Sequence, residues 1–282
     1  MADTFSYRFY YYTLRTALSH AVFPNKKKTR EESSVKEQYS GNYSEETNET
    51  FMMKRRSMFL NGKHVPDFPV IEHKKILMKR FADVFTEFKP ESLLELGSGR
   101  GFNILSLAVL CPDIKKMRGV ELSPRGVETA RMNFKNPPLA LLSQLTSVSK
   151  EEVARRLAGR DIDFVEGSIT KLPFENKSFD AVFSNSVIEQ IPKEYPSVFS
   201  EALRVARKVG VWSEPFREAQ RHHPMKLLFL KNTDHFRSSF KEVEKVGWRV
   251  RDFEISELQK FEFNTGFLTA TPSGEKRYQD SF

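Results

Sequence analysis

The sequence predicts an α/β protein, a seven-stranded and mostly parallel sheet with helices on both faces, preceded by a mainly helical N-terminal layer. From Ser92 onward, short apolar runs alternate with helical stretches, the pattern of repeated strand–helix units. Gly97–Ser98–Gly99–Arg100–Gly101 joins the first of these runs to an apolar helix, a tight turn that residues without Cβ permit. With 282 residues, 39% of them hydrophobic and 12% aromatic, the chain can bury one large domain with an accessory layer.

Residues 1–90 are expected to form a helical cap and lid. Asp3–Phe23 reads as a helix, Pro24–Ser34 as a basic linker and Ser40–Glu49 as turn-rich. Ile71–Phe85 repeats apolar residues at a helical period above a lysine-rich face. Residues 91–282 carry the sheet. Strands are expected at Ser92–Leu96, Lys116–Glu121, Asp163–Glu166, Phe179–Ser184, Val209–Glu214, Gly247–Ile255 and Glu262–Ala270, with helices at Phe102–Leu110, Pro124–Phe134, Pro196–Arg207 and Ser238–Val246. Residues 136–160 read as an insertion with a helix of its own, and 216–240 as a variable segment.

Several function classes are disfavoured by composition. Cys111 is the one cysteine, which excludes an intramolecular disulfide and a multi-cysteine metal site and points to a reducing compartment; a cytoplasmic protein is expected. No window offers about 20 uninterrupted apolar residues, so no transmembrane segment is expected. Arg8, Arg15 and His20 interrupt the aromatic N-terminus, which does not read as a secretory signal. Its aromatics at positions 9–12 are consecutive and wrap around a helix, so docking against the domain is the simpler expectation than a membrane face. The net charge of +8 is uneven: 16 basic and 11 acidic residues fall in 1–90, but 14 of each in 91–200.

The glycine turn fits Glu-x-Gly-x-Gly-x-Gly at Glu95–Gly101, and neither a dinucleotide fingerprint, since Phe102 takes its last glycine slot, nor a Walker loop, since no Gly-Lys-Ser/Thr follows. The second strand ends at Glu121, whose two carboxylate oxygens can accept from two neighbouring hydroxyls. Glu166–Gly167–Ser168–Ile169 with Leu172–Pro173–Phe174, then Ser178–Phe179–Asp180, supplies a third ordered match. In these features the chain resembles the class I S-adenosylmethionine-dependent methyltransferases, in particular their small-molecule branch, over roughly residues 92–215.

The resemblance implies a Rossmann-like sheet and S-adenosyl-L-methionine as cofactor; no metal is expected, because adjacent His222 and His223 with His235 lack a metal-ligand spacing. It implies cofactor contacts from Glu95, Gly97, Ser98, Gly99, Gly101, Glu121, Leu122, Ser168, Ile169 and Asn185. Ser168 departs from the aspartate that many relatives use for the adenine amino group, and Gln190 replaces a histidine common in the helix after the fourth strand. Methyl transfer from a sulfonium is an in-line displacement governed by orientation, and a protonated acceptor also needs a base. Glu189, His222, His235 and Tyr43 are the catalytic candidates. Each also has an ordinary reading: a structural carboxylate, a surface or core histidine, or a packed N-terminal tyrosine. The expected partner is a small molecule, with an anionic one favoured by the basic flanks. An RNA methyltransferase is the main alternative, although Asn185–Ser186–Val187–Ile188 lacks the Asn/Asp-Pro-Pro-Tyr/Phe motif of many base-amino enzymes; a lipid-associated enzyme is another.

Overall fold

The computed structural model describes residues 4–23, 30, 32–45 and 47–274. In chain order, α1 (Thr4–Val22), α2 (Glu32–Glu45) and α3 (Asn48–Met53) precede a hairpin of β1 (Arg55–Leu60) and β2 (Lys63–Pro69), which runs directly into α4 (Val70–Phe88). Then follow β3 (Ser92–Leu96), α5 (Phe102–Leu110), β4 (Lys116–Glu121), α6 (Pro124–Lys135), α7 (Leu139–Thr146), α8 (Lys150–Leu157) and β5 (Asp161–Glu166). The C-terminal part holds β6 (Phe179–Asn185), α9 (Tyr195–Val205), β7 (Ala206–Glu214), α10 (Pro224–Asn232), α11 (Lys241–Lys245), β8 (Trp248–Ile255), β9 (Leu258–Lys260) and β10 (Gly266–Pro272).

Seven strands form the main sheet in the order β5-β4-β3-β6-β7-β10-β8, parallel except that β10 runs antiparallel to both neighbours. Successive residues of a strand face opposite sides, and here that alternation builds two cores. Leu93, Ala181, Val211 and Phe267 point into a core beneath α4–α8; Leu94, Val182, Trp212 and Leu268 point into one beneath α9 and α11. The expected insertion at 136–160 is α7 and α8, whose Leu141, Leu142, Leu145, Val153 and Leu157 complete the first core.

The hairpin is the main departure from the expected elements. Asn61 and Gly62 at its tip have φ of 48° and 76°, the left-handed pair that a two-residue turn between twisted strands requires. Its β1 also pairs with β9, so the N-terminal and C-terminal segments share a three-stranded antiparallel sheet. The fifth parallel strand begins at Ala206, three residues earlier than expected, and Gly210 lies in its interior. A Cβ there would meet the Trp212 ring at 2.3 Å and the Trp248 ring at 2.7 Å, which pack edge to face.

The N-terminal helices are fastened to the domain by polar contacts. Arg30 donates from its backbone N–H to Asp234, from Nε to the Thr233 carbonyl and from Nη1 to Gln190 Oε1. Lys36 of α2 pairs with Glu166 at 2.9 Å, at the end of β5. Helix α1 docks through Phe9, against Phe229 and Phe261, and through the Thr13 carbonyl, which accepts from Asn232. The docking expected of the aromatic helix is thus made by one face, and Tyr7, Tyr10, Tyr11 and Tyr12 are exposed.

Candidate active site

Strand order fixes where a ligand can bind. The chain winds outward from β3 to β4 and β5 on one side, and from β6 to β7 on the other, so a crevice opens between the carboxyl ends of β3 and β6. A cavity of about 280 Å3 lies there. Its floor is Gly97, Ser98 and Gly99 after β3, Glu121 and Leu122 at the end of β4, Ser168 and Ile169 after β5, and Asn185 ending β6. Helix α2 forms its roof with Glu32, Val35, Lys36 and Tyr39, and Phe51, Lys74, Arg100 and Asn103 close one end.

The glycine turn is shaped by steric need at two positions. Gly97 has φ of 72° and a Cβ there would meet the Val187 side chain at 2.5 Å; Gly101 has φ of 79° and a Cβ would meet the Phe164 ring at 2.7 Å. Only glycine lets β3 turn this closely under the loop after β6 and then enter α5. Glu121 Oε2 accepts from the Gly99 N–H and Oε1 from the Ser123 N–H, each at 2.9 Å. Burial raises its pKa, and these backbone donors act against the rise. Each oxygen keeps a lone pair for a further donor.

Glu95 lies beneath the turn and does not line the cavity. Its Oε1 accepts from Asn103 at 2.6 Å, its Oε2 has no partner among the described residues, and burial pushes its pKa up to about 8. It braces Asn103, whose Oδ1 in turn accepts from Lys74 at 3.4 Å. The Ser168 hydroxyl is engaged with Thr170, accepting its N–H at 3.1 Å. Thus eight of the ten residues expected at the cofactor line one cavity, while Glu95 and Gly101 support its floor from behind.

The catalytic candidates fall elsewhere. Glu189 is buried beside the cavity; its Oε1 accepts from Gln190 at 3.0 Å and its Oε2 lies 3.7 Å from Lys260 Nζ. The loop carrying it is held by Glu214, which accepts from the Ser184 hydroxyl and the Val187 and Glu189 N–H groups and whose pKa burial pushes up to about 7. His222 is exposed and bonds Arg221. His235 bonds Thr233 at 2.6 Å and stacks on Phe229; burial, then the Arg30 and Lys260 charges, hold its pKa down at about 3. Tyr43 belongs to α2, but its side chain lies outside the described residues. Among the described residues no group of histidines, cysteines and carboxylates could hold a metal.

A second, smaller cavity of about 90 Å3 abuts the first and shares Asn185 and Ser186 with it. His73, Ile76, Leu77 and Arg80 of α4 form one wall, and Ser213, Lys260, Thr265 and Phe267 lie among its other lining residues. Helix α4 borders both spaces, with His73 on the second and Lys74 on the first. Burial, then the Lys260, Lys74 and Arg56 charges, keep His73 neutral with a pKa of about 3. Sequence reasoning missed His73, Lys74, Phe51 and Lys260. Their signal is tertiary, except that His73–Lys74 interrupts the apolar period of α4.

Residues 94–213 match a family model described as a methyltransferase domain. No curated protein matches the sequence at a significant level. Among solved structures, the fold is similar to magnesium protoporphyrin IX methyltransferase from Synechocystis PCC 6803 with bound S-adenosylhomocysteine (12% identity, 86% of this chain and 99% of that one, TM-score 0.54). It is similar also to a proposed sarcosine dimethylglycine methyltransferase from Galdieria sulphuraria (12%, 84% and 100%, TM-score 0.57) and to the cyclase SpnF (13%, 86% and 97%, TM-score 0.57). The glycine turn, the Glu121 strand end and the strand order agree with the family match, and residues 94–213 form a methyltransferase domain of the S-adenosylmethionine-dependent kind.

Proposed function

We propose that this methyltransferase acts on a small molecule whose reacting group enters the second cavity, and that the first cavity holds the cofactor. The carrying observation is that the two cavities, the first roofed by α2, meet at Asn185–Ser186, a space that suits a small acceptor better than a nucleic-acid duplex. The residues of the first cavity suit S-adenosylmethionine. Glu121 presents lone pairs for two ribose hydroxyls, Leu122 and Ile169 are apolar faces for a base, and Lys74, Arg100 and Asn103 gather donors where a carboxylate would lie. Bound there, the cofactor supplies an electrophilic methyl group.

The chain's own contribution is then orientation. Asn185 and Ser186 border both spaces and hold the acceptor's approach. Neutral His73 accepts a hydrogen bond from an acceptor hydroxyl or amine; with so low a pKa it orients the group more than it removes its proton. Lys260 donates to Ser186 at 3.3 Å and brings positive charge to the second cavity, which favours an acceptor carrying an anionic group. Tyr39 and Phe51 cover the first cavity and exclude water from it.

Titration calorimetry with S-adenosylhomocysteine, followed by transfer of labelled methyl to a panel of small carboxylates, amines and phenols, tests the reading. Binding with label transferred to a small acceptor is expected, together with loss of transfer but retained binding in His73→Ala. Absence of cofactor binding, or label passing only to RNA, would overturn it.

A further inference from the structure

Helix α1 presents two opposite faces. Phe9 and Thr13 point into the domain, Thr13 fully buried and Phe9 packed on Phe229 and Phe261. On the reverse side, Tyr7, Tyr11, Leu14, Leu18 and Val22 are 71%, 56%, 50%, 68% and 66% exposed. On a helix of about 3.6 residues per turn these five positions fall in one narrow stripe along the whole length of α1. Tyr7 and Tyr11 stack within it, and Tyr10, 48% exposed, widens one edge. Exposed Arg8 and Arg15 flank the other edge. Residues 4–23 contain no acidic side chain, and Lys26, Lys27, Lys28 and Arg30 follow in the sequence.

We propose that α1 docks this protein on the surface of an anionic lipid bilayer, with its stripe of tyrosine, leucine and valine in the headgroup boundary. Long apolar stripes are rare on free surfaces of water-soluble proteins and mark interaction sites. The composition of this one selects the occupant. Tyrosine has an apolar body and a polar tip, which suits the boundary between hydrocarbon and water. Arginines at the stripe's edge can lay their stems along it and keep their guanidinium groups among lipid phosphates. A second copy of this chain meeting the same stripe would set Arg8 and Arg15 against their like, whereas an anionic surface complements them and the basic run that follows. The association is peripheral, since among the described residues no helix is long and apolar enough to cross a membrane. Phe9 rests on Phe261, the neighbour of Lys260 in the second cavity, so docking also brings the acceptor side of the enzyme toward the lipid surface.

Flotation of the full-length protein with vesicles tests the proposal independently of the reaction. The protein should float with vesicles of phosphatidylcholine and phosphatidylserine in equal parts, at least tenfold more than with phosphatidylcholine alone, and raised salt should reduce the binding. Tyr11→Ser, Leu14→Ser and Leu18→Ser combined should lower flotation at least tenfold. The combined variant should keep the wild-type Tm and affinity for S-adenosylhomocysteine, because these side chains face away from the domain. Arg8→Glu with Arg15→Glu should remove the preference for the anionic vesicles. A wild type that stays at the bottom of the gradient with anionic vesicles overturns the proposal. So does a triple variant that floats like the wild type, or one that turns a wild-type dimer into a monomer in sedimentation.

Discussion

Glu121 and Gly97 carry two different kinds of constraint, chemical and steric. Glu121→Ala removes the acceptors of the Gly99 and Ser123 N–H groups as well as the proposed ribose contact. Affinity for S-adenosylhomocysteine should fall at least 100-fold by calorimetry, with a stability loss of about 1–3 kcal/mol from the orphaned donors. An unchanged Kd would remove Glu121 from the cofactor site. Gly97→Ala should cost about 2–4 kcal/mol in denaturant unfolding, because a left-handed backbone and the Val187 clash add. Val187→Ala should restore the clash portion and leave the backbone portion. Glu95 gives a pH signature. Its pKa is about 8 in the folded chain against an ordinary 4.5, so across that window the native state holds a proton that the unfolded state has released. Stability should therefore fall as pH rises from about 4.5 to 8, by at most about 1.4 kcal/mol per unit, and Glu95→Gln should flatten that slope in urea titrations. These glycines and carboxylates were legible in the sequence because their chemistry is local to one turn or one strand end. His73 and Lys260 were not, being brought to one cavity from α4 and β9 only by folding.

The elements divide in the same way. Strands β3 to β6 and helix α4 announce themselves through apolar period, and the sequence reading places each within a few residues. The β1–β2 hairpin had a signal, Asn61–Gly62, but it lies among basic and polar residues that do not read as buried strands, and its outer partner β9 lies about 200 residues away. Helix α1 was read as wrapped by aromatics, because residues 9–12 are consecutive. Only the packed Phe9–Thr13 side shows which of them are spent on the core, and so reveals the stripe left over. Helix α4 links core to site. Phe81 is fully buried, 5.0 Å from both Phe183 and Phe267, on the same helix that carries His73 and Lys74. Phe81→Ala should destabilise by about 3–5 kcal/mol in chemical denaturation; a loss below 1 kcal/mol would show that the packing is loose there.

Cofactor binding and folding should be linked across the entire chain, because the first cavity takes walls from α2, α4 and the ends of four parallel strands. S-adenosylhomocysteine at about 100 times its Kd should stabilise the protein by about 2.7 kcal/mol and raise Tm by several degrees in scanning calorimetry. An unmoved Tm would mean that the ligand does not select the folded state. The sequence by itself determined the alternation of strand and helix, the glycine turn, the acidic strand end and thereby the methyltransferase domain and its cofactor, since each depends on neighbours a few positions apart. Only the tertiary structure decided what roofs the cofactor cavity, which side chains border the acceptor space and which face of α1 remains outside. Those outcomes depend on Arg30, Lys36, Phe9 and β1 finding partners at Asp234, Glu166, Phe229 and β9, separations of more than a hundred residues over which local pattern carries no information.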